Sequence, residues 1–139
     1  MSSETGAGRT DPRRRRVEQA PLVQEAVQAV SGRITALAEQ RDPKRRSLFV
    51  DGEFVLGLDL ETIVRLHLKV GQPVDGALLW QAYQLDQEKR AWDAGLRLLA
   101  AAPRTRREVE RRLGRTYPPE AVECVAERLA AAGWLDDRA

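Results

Sequence analysis

The stretch APRTRREVERRLGRTYPPE, Ala102 to Glu120, carries the punctuation from which the C-terminal half of the chain can be read. Pro103 cannot continue a preceding helix, because its ring removes an amide donor and clashes with the turn before it. Thr105-Arg-Arg-Glu108 is a capping box: the Thr hydroxyl and the Glu carboxylate satisfy each other's free backbone amides. Gly114 closes the short helix that follows, and Pro118-Pro119 opens another. Working outward, Asp75 is placed to cap GALLWQAYQLDQEKRAWDAGLRLLAA, in which Leu85, Trp92, Leu96 and Leu99 recur on one stripe. This segment reads as one helix, or as two with a break near Asp86, and Gly95 weakens its interior by about 1 kcal/mol relative to Ala. On the other side, Val122, Val125, Ala126 and Leu129 form a buried stripe that Gly133 ends. The half is three helices joined by tight turns.

Towards the N-terminus the period changes. Asp59 is placed to cap LETIVRLHLKV, which is expected to stop at Gly71, with Pro73 reinforcing the stop. RITALAE and SLFVDGEFVLGL are rich in β-branched and large apolar residues, and Asp51-Gly52 is a type I′ hairpin signal because both residues tolerate positive φ. A three-stranded antiparallel meander follows. A two-residue loop sets Phe49 opposite Phe54 and Leu48 opposite Val55, so both faces are apolar and the sheet needs helices against it. PLVQEAVQAVSG gives a weak helical pattern, with Pro21 in the first turn, Val23, Val27 and Val30 on one side, and Gly32 as its end. Residues 1 to about 20 offer almost no large apolar side chain to offset their ordering entropy. The expected fold class is α+β, mostly α: residues 1–31 a disordered or weakly helical tail, 32–75 a small meander plus a short helix, and 76–139 a helical domain ending in a three-helix unit.

Composition limits what such a chain can do. It has 139 residues, 32% charged and 42% hydrophobic, enough for one compact domain or two small ones. A net charge of +2 conceals basic clusters at Arg13 to Arg16, Lys44 to Arg46 and Arg104 to Arg115, which point to an anionic partner. Cys124 is the lone cysteine, so a disulfide framework is excluded. The start has arginines without an apolar core behind them, unlike a signal peptide, and no apolar run approaches the roughly 20 residues of a membrane span. A cytoplasmic location is expected. His67 is the only histidine, and Cys124 lies far from it within an apolar helical stripe, so neither a Cys-His pair nor a metal cluster is supported. Asp136 and Asp137 read as the cap of a following helix, and there is no Gly-rich phosphate loop. Catalysis, a metal and a cofactor are not expected.

The arginines carry the remaining signal. With Val109 and Leu113 inward, steps of about 100° put Arg107, Arg111 and Arg115 on the outward side at i, i+4 and i+8. Like charges at that spacing cost about 0.2 to 0.5 kcal/mol per pair, partly offset by Glu108 and Glu110. Two readings stay open: a solvated face that favours its own helix C-terminus, and a docking surface whose planar forks grip carboxylate or phosphate with two bonds. Arg13, Arg14, Arg15, Arg16, Lys44, Arg45 and Arg46 read as solvated charge or as nonspecific contacts to nucleic acid. Trp80, Trp92 and Trp134 read as core packing, with Trp134 and Leu135 turning the chain back onto the bundle.

Three segments together carry a resemblance: ITALAEQRDPKRRSLFVDGEFVLGLDLE, LKVGQPVD, and AWDAGLRLLAAAPRTRREVERRLGRTYPPEAVECVAERLAAAGWLDDRA. From about Arg33 to Ala139 the chain resembles the RecX family of recombination regulators, most specifically in the last segment, which is similar to one of that family's helical repeats. The resemblance implies tandem three-helix units and binding to the RecA recombinase filament, along its groove, with suppression of ATP hydrolysis and strand exchange. It also implies that Arg107, Arg111 and Arg115, with Arg104 and Arg106 at the turn, contact acidic RecA groups or filament DNA, single- or double-stranded, by a chain acting as a monomer away from membranes. Family members usually carry three such units, whereas this chain ends at Leu-Asp-Asp-Arg-Ala, so it is expected to be an N-terminal fragment or a short form with reduced avidity. The rival reading is a DNA-binding module or transcriptional repressor, since three short helices with a tight turn can present a recognition helix.

Overall fold

Asp51 and Gly52 take φ values of 50° and 86°, the paired left-handed conformations of a type I′ turn. This turn organises the N-terminal half of the computed structural model, which describes residues 20–136. The order of elements is α1 (Ala20–Gln28), β1 (Ser31–Glu39), β2 (Arg45–Val50), β3 (Glu53–Asp59), α2 (Leu60–Arg65), β4 (Pro73–Asp75), α3 (Gly76–Ala101), α4 (Arg106–Leu113) and α5 (Pro119–Ala131). It is an antiparallel sheet followed by helices, about half helical and a fifth strand. Two compact units divide it, Leu22–Asp86 and one that begins at Gln87. The segment Gly76–Ala101 is one unbroken helix through Asp86, so it belongs to both units.

In the first unit the expected three strands are four, in the order β3-β2-β1-β4. The added strand is Pro73–Asp75, which pairs with Ser31 to Arg33 of β1. Its three residues are too few for a periodicity to show, and Pro73 is tolerated because the strand lies at the sheet's edge. The hairpin register puts Phe49 opposite Phe54 as expected, but a bulge then sets Leu48 opposite Leu56 instead of Val55. The shift places Leu48, Leu56 and Leu58 in the core with Val50 and Ile34. Phe54 stays 57% exposed, edge-on to Phe49 at 5.9 Å.

Two helix ends differ from the sequence expectation. The helix after β3 stops at Arg65, well before Gly71, and His67 takes φ of 55°. The Leu68 amide donates to the Ile63 carbonyl at 3.0 Å and the His67 amide to the Val64 carbonyl at 3.1 Å. These bonds form a Schellman closure with histidine where glycine is usual, and it turns Leu68 into the core. Likewise α1 ends at Gln28, and Gly32 is a strand residue pressed so closely against the Asp51 carboxylate that a Cβ has no room.

The second unit is built as expected around Val109, Leu113, Val122, Val125 and Leu129. Of the predicted stripe, Trp92, Leu96 and Leu99 pack half-buried against this cluster and Leu85 does not, while the fully buried positions of the long helix here are the small residues Ala91 and Gly95. A Cβ on Gly95 would sit 3.3 Å from Val125 Cγ1 and 3.6 Å from Leu129 Cδ1. The glycine therefore trades helix propensity for close helix packing. At the far end of α5, Gly133 has φ of 77°, and the Trp134 amide reaches the Leu129 carbonyl at 3.1 Å, so the predicted stop holds.

Candidate partner-binding face

The helix that carries the arginines starts as its sequence dictates. The Glu108 amide donates to Thr105 Oγ1 at 3.2 Å and the Thr105 amide donates to Glu108 Oε1 at 3.0 Å. That amide, aided by Arg104 and Arg111 nearby, holds the Glu108 carboxyl below its usual range against some desolvation. Val109 and Leu113 are buried, which fixes the rotation of the short helix about its axis. Arg107 and Arg111 accordingly face solvent, and neither makes an ion pair among the described residues. Arg115, past the Gly114 cap, is exposed too, as is Arg112.

The remaining arginines of this segment are engaged. Arg106 donates Nε to Glu110 at 2.9 Å, and its Nη2 lies 3.3 Å from Glu123 and 3.4 Å from Glu127, so it links α4 to α5. The Glu110 bond in particular makes its proton harder to remove than usual. Arg104 is half-buried, with Nε 3.5 Å from the Leu98 carbonyl, and its own carbonyl accepts from the Asp136 amide at 2.7 Å. The sequence cannot distinguish these roles, because the Glu123 and Glu127 partners of Arg106 arrive from the next helix.

The second basic cluster is used inside its own unit. Arg45 Nη1 lies 2.7 Å from Asp59 and Nη2 3.3 Å from Asp86, whose side chain is 1% exposed. Asp86 also accepts from the Asp59 amide at 2.8 Å. Burial pushes the Asp86 carboxyl above its ordinary range, and these two bonds pull it back. Asp59 thus serves Arg45 and gives α2 no side-chain cap, contrary to its reading as an N-cap, whereas Asp75 does cap, accepting from the Leu78 amide at 3.0 Å. Arg46 bonds to the Pro43 carbonyl at 2.9 Å and sits 3.6 Å from Glu39, leaving Lys44 as the exposed member. Arg13 to Arg16 and Asp137 lie outside the described residues.

Other singled-out residues fall into structural places. Trp80 stacks on Tyr83 at 5.1 Å. Arg128 covers the Trp92 ring at 4.2 Å, and Trp134, 6.1 Å from Trp92, is 55% exposed instead of packed into the core. Leu135 does fold back onto the apolar cluster. Cys124 is half-buried, with its thiol pushed up by burial, and His67 is exposed at the helix end already described. Among the described residues no three His, Cys, Asp or Glu side chains gather as a metal set, and no helix is long and apolar enough to cross a membrane.

Comparison with known proteins decides the family. Residues 32–75 match the regulatory protein RecX N-terminal domain, and residues 91–129 match the RecX first three-helix domain. The chain belongs to the RecX family. Regulatory protein RecX of Staphylococcus saprophyticus is 34% identical over 91 residues, covering 65% of this chain and 34% of the relative. That of Staphylococcus epidermidis is 32% identical over 78 residues, 55% of this chain and 29% of the relative. The chain thus spans about a third of the length of the curated relatives it matches. A crystal structure of regulatory protein RecX aligns with TM-score 0.59 at 21% identity, over 78% of this chain and 53% of that one, a likeness of fold. The two RecX matches fall on the sheet with its short helix and on the helices that hold the arginines.

Proposed function

We propose that this chain is a nonenzymatic, cytoplasmic regulator that binds the RecA recombinase filament through the outward face of α4 and modulates its ATPase and strand-exchange activities. Membership of the RecX family supports the partner. One observation supports the face: on a single short helix Arg106 is bound to three carboxylates while Arg107 and Arg111 are bound to none among the described residues. A fold that leaves two such guanidinium groups unmatched a turn apart retains a repulsion that an acidic partner relieves. Arg115 extends the face.

Co-sedimentation with assembled RecA filaments tests the reading. The chain should pellet with filaments and stay in solution without them. The double charge reversal Arg107→Glu with Arg111→Glu should weaken binding at least about tenfold, the scale of losing two charged contacts at an interface. Equal pelleting with and without filaments would reject the partner, and unchanged affinity in the double variant would reject the face.

A further inference from the structure

The second unit contains an open groove of about 400 Å³, of which the filament reading uses only Arg115. Arg97, Arg104, Arg112, Arg115, Leu98 and Tyr117 are among the residues that line it. The four arginines come from separate places: Arg97 from α3, Arg104 from the connection after it, Arg112 from α4, and Arg115 from the turn that follows. Convergence of this kind is not the repeat of one helix face.

No Asp or Glu lines the groove among the described residues. Elsewhere in the same unit the fold neutralises cations, as with Lys89 on Asp93 at 2.9 Å and Arg106 on its three glutamates. Arg97, Arg112 and Arg115 have no such partner among the described residues.

Guanidinium groups only donate hydrogen bonds, so the ligand's polar atoms should be chiefly acceptors. A peptide would bring backbone N–H groups into a lining whose acceptor side chains are the Thr116 and Tyr117 hydroxyls. A phosphate ester brings acceptor oxygens and no such donors. Tyr117 and Leu98 add an aromatic and an aliphatic surface for a flat group beside the phosphate. The volume lies in the range of sites for small ligands, and a concave cleft of that size does not admit the width of a duplex.

We propose that this groove seats one nucleotide, with the phosphate among Arg97, Arg112 and Arg115 and the base against Tyr117. The nucleotide is supplied either free or as one unit of a single strand, the chemistry of the seat being the same. The proposal shares Arg115 with the filament reading but is separable from it, because Arg107 and Arg111 do not line the groove.

The test uses the intact chain with two probes, a short fluorescent oligothymidine followed by anisotropy and thymidine 5′-monophosphate followed by calorimetry. Binding of at least one probe should fall about tenfold in Arg112→Gln with Arg115→Gln, and for oligothymidine the slope of log K against log salt should shrink by about 1.4, two contacts at about 0.7 each. Tyr117→Phe should bind as the parent does and Tyr117→Leu more weakly, with the melting temperature of each recorded; if the Leu variant does not fold, the arginine variant decides. Arg107→Glu with Arg111→Glu should keep nucleotide binding even where it abolishes filament binding, so the two ideas fail separately. Dependence of the monophosphate on the groove arginines assigns a free nucleotide, and dependence of oligothymidine alone assigns a strand. The proposal is overturned if neither probe responds to the arginine variant, or if inorganic phosphate, polyglutamate or a duplex competes as well as oligothymidine does.

Discussion

The basic runs KRR at Lys44 and RREVERR at Arg106 look alike as sequence, and the chain treats them in opposite ways. On β2 the strand period turns Arg45 inward, where Asp59 and the buried Asp86 enclose it. On α4 the helical period turns Arg107 and Arg111 outward, while the nearby carboxylates serve other ends: Glu108 caps the helix, and Glu110 holds Arg106. The lesson is that a cluster of arginines is a candidate surface only after the fold's own carboxylates have been assigned. In one region Asp59 and Asp86 are turned on Arg45, and in the other the acids leave Arg107 and Arg111 over.

Removing the acid that makes the difference should have the largest effect. Asp86→Ala strips Arg45 of a partner and leaves the Asp59 amide without its acceptor, so the chain should lose about 2 to 4 kcal/mol of stability in urea denaturation. Asp86→Asn should fall between, since it can still accept from the Asp59 amide but sets an amide donor towards Arg45. A loss below about 0.5 kcal/mol in the Ala variant would mean that the first unit does not depend on its enclosed pair, and the contrast between the regions would dissolve.

Thr105→Ala addresses the other region. There the arginine-bearing helix is held by its cap and by Val109 and Leu113, so loss of the hydroxyl should cost about 1 kcal/mol, read as a lowered midpoint with unchanged slope. Arg107→Ala, on the same helix, should leave the midpoint nearly where it was, because no interaction of its guanidinium is lost.

The same contrast explains what could be read in advance. The capping box, the type I′ turn, the stripe Val122, Val125, Ala126 and Leu129 and the stop at Gly133 are local patterns, and each was legible because the residues that cause it are neighbours in sequence. The features missed join distant residues. The bulge opposite Leu48 follows from packing of the sheet's buried face, and the small-residue seam at Gly95 depends on where Val125 and Leu129 arrive. The stop at His67 was hidden because a non-glycine residue takes the left-handed position when Leu68 must reach the core. Outward placement of Arg107 and Arg111 was legible from Val109 and Leu113, whereas the assignment of Arg106 and Arg45 to internal carboxylates, and the approach of Arg97 to Arg112, required the fold.

An effect smaller than the loss of the cap is one of pH, and it should have opposite signs in the two regions. Glu108 is held below its ordinary value of 4.5 chiefly by the Thr105 amide, so its contribution is fully present above that value and is lost as pH falls through the folded one. Asp86 is pushed above its ordinary value of 3.8 by burial, so its ionisation costs stability as pH rises from that value through the folded one. Glu108→Gln keeps an oxygen for the Thr105 amide but has no proton to gain. Between neutral pH and pH about 3, the Gln variant should lose less melting temperature than the parent, since the remaining carboxylates titrate in both chains alike. Equal losses would show that the cap works as well with a protonated Glu108, and that the charge of this acid adds nothing to the helix it starts.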